Sequence, residues 1–171
     1  MRLNTIKIEE FCYWKGLFND DELQEIIDYC DSLEKTTAVV NYGEDEEIRK
    51  SNVSWIHKNM ETEWFFNRIQ SASNKLNSRF FGFDIDTLDT LQYTIYNEGG
   101  DHYTWHWDCY TSNNLNDYND YAQRKLSAVL QLDDPNDYEG GDLHIAPCGS
   151  IIEVEKQKGR SEEHTSELQS H

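Results

Sequence analysis

YNEGGDHYTWHWD (residues 96–108) is the stretch on which the reading of this chain turns. Its end, His106-Trp107-Asp108, places an imidazole and a carboxylate two residues apart, where Tyr103, Trp105 and Trp107 favour an extended chain. A period of two puts His106 and Asp108 on one face, with His102 one pleat repeat further along, and the three aromatics on the other. The helical alternative would make His102 and His106 an i, i+4 metal pair, and the β-favouring aromatics argue against it. One neutral imidazole and one carboxylate are two-thirds of the 2-His-1-carboxylate set that leaves open positions on iron(II). A third ligand has to come from elsewhere. Taken alone, the motif also fits a surface strand that carries an unrelated His and Asp.

The surroundings narrow the choice. Tyr96 lies ten residues before His106, and a Gly-Gly turn follows it. After the motif come RKLSAVLQLDD (124–134) and YEGGDLHI (138–145). This order, Y…G…YxxHxD, then R-x-x-S with an apolar strand ending in Leu-Asp, then GGxL, resembles the iron(II)- and 2-oxoglutarate-dependent dioxygenases of the prolyl 4-hydroxylase type. The resemblance covers about residues 46 to 159.

That resemblance implies an α+β domain whose core is a double-stranded β-helix, or jelly roll, with iron at its open mouth and N-terminal helices bracing one face. It implies His106 and Asp108 as iron ligands, and Fe(II) with 2-oxoglutarate as the co-substrate; ascorbate binding accompanies the same family. The reaction would decarboxylate 2-oxoglutarate to succinate and CO₂ while hydroxylating an unactivated C–H bond, the metal and co-substrate carrying the difficult chemistry. Tyr96 matches a strand tyrosine that often touches 2-oxoglutarate in relatives, and a buried tyrosine with a satisfied hydroxyl is the equal alternative. Gln131 stands where some relatives use another tyrosine, which makes it the second co-substrate candidate. Tyr103 is expected to pack. The substrate class implied is a prolyl or related side chain in a peptide or protein, with free amino acids and small metabolites as the alternative. A reading from a different class is a non-catalytic jelly-roll binding module.

The C-terminus stands apart. From Arg160 onward, RSEEHTSELQSH (160–171) is what one reading frame of a common sequencing adapter would encode, so residues 1–159 are expected to form the dioxygenase domain and 160–171 a non-native tail. On that expectation, which leaves 160–171 out of the reading of the fold without placing it, the domain lacks the distal iron-binding His and the Arg or Lys that grips the far carboxylate of 2-oxoglutarate, and the chain is expected to be inactive. His164 falls near the interval at which the family places its distal ligand, but it sits between Glu163 and Thr165 without a strand pattern and is not expected to bind metal. His144, just beyond Gly140-Gly141, reads as a hydrogen-bonded structural histidine.

Length suits one domain with a real core. The formal charge is −18, and setting aside Arg160, Glu162, Glu163 and Glu167 leaves −16. Such a surface repels phosphates, so nucleic acid is not an expected partner. No apolar run approaches the roughly 18 residues of a membrane span, and MRLNTIKIEE is too polar for a signal peptide. Cys12, Cys30, Cys109 and Cys148 have neither CxxC nor zinc-finger spacing. They read as reduced thiols in the cytosol or an organelle interior, and a cytoplasmic location is expected.

NDDELQEIIDYCDSLEK (19–35) carries Leu23, Ile26, Ile27, Cys30 and Leu33 at helical spacing, with Asn19 and Glu22 in a capping-box pattern. RKSNVSWIHK (49–58) reads as a strand following an acidic loop near 41–47. A second helix spans about 61–78, burying Trp64, Phe65, Ile69, Ala72 and Leu76. Beyond residue 83 the period becomes two, in 91–96 and again in 126–132. CYTSNNLNDYNDYAQ (109–123) is either a solvated loop or a substrate lid.

Overall fold

The structure, a computed structural model, describes residues 11–38, 45–108, 124–146, 151–159, 161–165 and 168–170. The loop or lid expected at 109–123, the part of the acidic loop at 41–44, and Cys109 and Cys148 lie outside the described residues.

Helix α1 (Asp20–Ser32) begins where the capping box predicts. The Asn19 side chain accepts from the Glu22 backbone N–H at 2.9 Å, and the Glu22 carboxylate accepts from the Asn19 N–H at 3.0 Å. Asp20, Asp21 and Glu22 then face the positive end of the helix dipole. Leu23, Ile26 and Cys30 are buried. Helix α2 (Glu63–Leu76) buries Phe65, Phe66, Ile69, Ala72 and Leu76. Trp64, expected in the core, is only partly buried, packing from its edge, and Phe66 takes the buried place. A π-helical turn over Asn77–Phe81 ends α2 at Gly82, whose φ of +72° is a left-handed conformation that favours glycine.

Among the described residues there are twelve strands, in chain order β1 (Phe11–Trp14), β2 (Thr36–Thr37), β3 (Arg49–Lys50), β4 (Asn52–Ile56), β5 (Leu91–Ile95), β6 (His102–Tyr103), β7 (His106–Trp107), β8 (Leu126–Leu130), β9 (His144–Ile145), β10 (Ile152–Glu153), β11 (Ser161–Thr165) and β12 (Leu168–Ser170). They form sheets ordered β1-β11-β8, β10-β9-β12-β7, β2-β4-β5 and β3-β6, and all their pairings are antiparallel. This is a β-rich α+β fold.

Two apolar clusters hold the layers. The larger joins α1 and α2 through Leu23, Ile26, Phe65, Phe66 and Ile69 to Ile56 of β4, with Leu91 and Tyr93 of β5 and Leu130 packed against it. Each such side chain contributes about 1.5–3 kcal/mol on leaving water, so the helices brace this face as expected. The smaller cluster, Leu143, Ile145 and Val154 with Phe11 and Val129, joins the β10-β9-β12-β7 sheet to β1 and β8. Strand β8 therefore serves both cores, and the alternation read from its sequence is modified. Ser127 is buried while the neighbouring apolar Ala128 is exposed.

The C-terminal segment, whose sequence shows no strand pattern, is extended in part: β11 inserts between β1 and β8, and β12 between β7 and β9. The physical reason is that ladder hydrogen bonds use backbone groups alone. The edges of β1, β8, β7 and β9 present unpaired N–H and C=O groups that any extended segment can satisfy. His164 consequently sits in β11, with Ser127 as its Cα partner, and Gln169 is the Cα partner of His106.

Candidate metal centre

The turn that delivers the motif is built by Gly99 and Gly100, both at φ +98°, outside the range of ordinary L-residues. Asp101 closes it, accepting from the Asn97 backbone N–H and the Asn97 side-chain amide, both at 2.9 Å. Strand β6 then pairs with β3, setting Tyr103 opposite Arg49 and His102 opposite Lys50.

The chain does not continue straight into β7. Thr104 donates its N–H to the Ile48 carbonyl at 2.8 Å, Trp105 bends, and β7 leaves for a different sheet, where it pairs with β12. This bend cancels the strict period of two across 102–108. Tyr103, expected to pack on the face opposite His106, lies against it instead, with ring centroids 3.5 Å apart and planes 12° from parallel. His102, expected on the face of His106, is turned away: Nδ1 lies 2.8 Å from the Gly100 carbonyl and Nε2 3.3 Å from that of Glu47.

His106 and Asp108 do come together. Nε2 of His106 lies 3.3 Å from Oδ1 of Asp108, and both side chains are largely buried. The other ring nitrogen, Nδ1, donates to the Thr104 carbonyl at 2.8 Å. In the neutral imidazole this bond leaves the lone pair on Nε2, facing a carboxylate oxygen. Two electron-rich atoms then converge on one point, an arrangement suited to a cation, and a ring N–H given to a backbone carbonyl is the usual support of a metal-binding histidine. Burial pushes the Asp108 carboxyl up, but a hydrogen bond from His106 when its Nε2 carries a proton, the nearby Ser127 hydroxyl and the charges of that protonated His106 and of Arg124 outweigh it. The carboxylate is thus held well below the usual range and is ionised at neutral pH. Ser127 Oγ is itself buried and meets no partner at full hydrogen-bond geometry among the described residues, so its effect on Asp108 is that of a nearby dipole.

The other site candidates separate. Tyr96 is half-buried near Arg49; its desolvation pushes the phenol up to about 12, only partly offset by the charge and hydrogen bond of Arg49, so it stays a neutral donor. Gln131 donates from Nε2 to the Tyr138 hydroxyl at 2.9 Å. His144 lies 3.7 Å from Glu153 across the β9–β10 pair and 6.2 Å from the Trp105 ring, away from His106. Among the described residues no group of three or more His, Cys, Asp or Glu is placed to hold a metal ion, and no third such group joins His106 and Asp108.

No family model matches the chain, and no curated protein sequence matches it. Solved structures do. A prolyl-4-hydroxylase of Pseudomonas putida aligns with a TM-score of 0.73 at 18% identity, over 94% of this chain and 83% of that one. A prolyl hydroxylase from Trichoplax adhaerens, in complex with a hypoxia inducible factor oxygen degradation domain peptide fragment, gives 0.72 at 18% over 98% and 77%. A viral collagen prolyl hydroxylase from Paramecium bursaria chlorella virus-1, in its 2OG complex, gives 0.71 at 17% over 98% and 91%. The fold is that of the prolyl 4-hydroxylase-type oxygenases.

Within the prolyl-hydroxylase fold, three contributors to the site escaped the sequence reading. Tyr103 was assigned to the wrong face because the bend at Trp105 leaves no composition signal. Ser127 was read as one polar position in an alternating strand. Arg49 was read as the start of a strand, although it is buried and reaches the Tyr103 ring at 4.5 Å. A charged residue entering a β segment otherwise destined for burial was the available signal. Among the described residues, no helix is long and apolar enough to cross a membrane.

Proposed function

We propose that this chain belongs to an iron(II)- and 2-oxoglutarate-dependent dioxygenase that hydroxylates a C–H bond of a prolyl or related residue in a peptide or protein, and that the 171-residue chain, with only His106 and Asp108 placed as ligands among the described residues, does not itself turn over. The observation that carries the reading is the convergence of His106 Nε2 and Asp108 Oδ1 at 3.3 Å, with the imidazole oriented by Thr104. The similarity to prolyl-hydroxylase structures supports it. So does the strand order β10-β9-β12-β7 beside β1-β11-β8, which suits a double-stranded β-helix with the site between its sheets.

In this proposal His106 and Asp108 hold the iron. Iron(II) with 2-oxoglutarate supplies, when bound, the oxidising power for hydroxylation, releasing succinate and CO₂. The remaining work falls to the chain. Thr104 fixes the His106 tautomer; Arg124 and Ser127 keep Asp108 ionised. Tyr96, neutral at physiological pH and close to Arg49, is suited to donate a hydrogen bond to a carboxylate of the co-substrate. Gln131, as the second co-substrate contact, would have to share its amide with Tyr138. A peptide is the favoured substrate class because the Trichoplax adhaerens neighbour is in complex with one. Residues 160–171 remain, in this proposal, a non-native tail that borrows the strand positions β11 and β12.

The test is metal binding by the 171-residue chain, followed by the visible spectrum of Co(II). With two donors placed, binding is expected to be weak and succinate formation absent, and 2-oxoglutarate is expected to perturb the spectrum. A chain whose Co(II) spectrum is indifferent to both His106→Ala and Asp108→Ala would overturn the proposal.

A further inference from the structure

Arg49 is 8% exposed, and a buried guanidinium is costly unless its surroundings compensate it. The other described arginines near acidic groups pair with them: Arg68 with Glu22 at 2.6 Å and Arg124 with Asp89 at 3.5 Å. Arg49 is met instead by neutral groups. Its Nε donates to Ser51 Oγ at 3.0 Å, and one terminal nitrogen donates to Gln92 Oε1 at 2.8 Å. The guanidinium carbon stands 4.5 Å from the centre of the Tyr103 ring, within cation–π range. Tyr103 in turn stacks on His106 at 3.5 Å.

The two side-chain bonds fix the guanidinium plane, one from its own strand segment and one from β5. A cation fixed in this way holds the electron-rich face of Tyr103 in place, and the stacked ring limits rotation of the imidazole out of its plane. The Thr104 carbonyl acts differently, since it sets which nitrogen carries the proton and the direction of Nδ1. Both constraints are needed to aim Nε2, because a hydrogen bond to Nδ1 alone leaves the ring free to swing about that bond.

We propose that Arg49 is a positioning residue for the metal ligand His106, acting through Tyr103. This rests on the reading of His106 as a ligand, but the orientation of the imidazole can be observed without any metal.

The experiment reads the His106 side-chain resonances by nitrogen-15 NMR in the 171-residue chain, with Co(II) titration as a second measurement. In the wild-type chain His106 is expected in the Nδ1–H tautomer, with ring protons shifted upfield by Tyr103. Tyr103→Leu removes that shift and calibrates it. Arg49→Met is expected to lose most of the same upfield shift, to admit the second tautomer, and to weaken Co(II) binding about tenfold, the scale of losing a partner that orients a ligand. Gln92→Leu leaves the charge but removes one anchor; it is expected to move the same resonances partway and serves if Arg49→Met does not fold. A folded Arg49→Met, or Gln92→Leu in its place, with His106 resonances at their wild-type positions would overturn the proposal. If Co(II) fails to shift the wild-type resonances, the metal reading falls, while the NMR comparison still decides the role of Arg49.

Discussion

The imidazole of His106 lies face to face with the phenol ring of Tyr103, three residues earlier in the chain, at a centroid distance of 3.5 Å. In an unbroken strand, residues three apart point to opposite faces. The contact therefore requires the bend at Trp105, which takes the chain from the β3-β6 pair to the β10-β9-β12-β7 sheet. It also separates the two histidines that a regular pleat would align: His106 keeps Nε2 directed at Asp108, whereas His102 is tied to the carbonyls of Gly100 and Glu47.

That separation predicts a mutational pattern. His106→Ala and Asp108→Ala should each abolish site-specific Co(II) binding, because each removes one of two convergent donors. His102→Ala should retain binding within about twofold, since its ring lies against the carbonyls of Gly100 and Glu47 and not beside Asp108. Co(II) absorption titrations of the three variants provide the measurement, and loss of binding in His102→Ala with retention in His106→Ala would place the metal in another register.

A second prediction concerns residues 160–171. Because β11 and β12 complete two sheets, a chain ending at Gly159 should expose the edges of β1, β8, β7 and β9. Its urea midpoint should fall and its tendency to associate should rise. Equal midpoints for the 159- and 171-residue chains would show that the strand pairing of the tail contributes nothing to stability.

The cap of α1 gives a pH-dependent prediction. A side-chain hydrogen bond with Arg68, then the backbone N–H of Asn19, hold the Glu22 carboxyl below its usual value. A depressed folded-state value means that this contribution is fully present above the ordinary carboxylate range and is lost as pH falls through the folded value. Arg68→Ala should therefore destabilise the chain at pH 7 more than at pH 3. Asn19→Ala should cost about 1 kcal/mol at neutral pH through loss of the cap. Thermal unfolding at the two pH values measures both.

The net charge of −18 predicts negligible affinity for duplex nucleic acid at physiological salt. A fluorescence-anisotropy titration with a labelled duplex is the check. Micromolar binding would point to a basic surface that the overall charge conceals.

Much of the fold was legible because the determining signals are local. Asn19 and Glu22 specify a helix start through bonds between residues three apart, and the apolar stripes of α1 and α2 follow from a period of 3.6. The pairing of His106 with Asp108 was legible for the same reason, since two residues within one extended turn of chain stay close in almost any packing. What the sequence by itself determined was therefore the helices, the β-rich character of the second half and the closeness of His106 and Asp108.

Only the tertiary structure decided the rest. The facing of Tyr103 depends on a bend stabilised by a bond from Thr104 to Ile48, more than fifty residues earlier. The burial of Arg49 depends on Gln92 from another strand, and that of Ser127 on two cores meeting at β8. The strand pairing of 161–165 and 168–170 depends on edges left open by distant segments. In each case the deciding contact lies across the chain, and its energy comes from partners whose proximity no local pattern encodes.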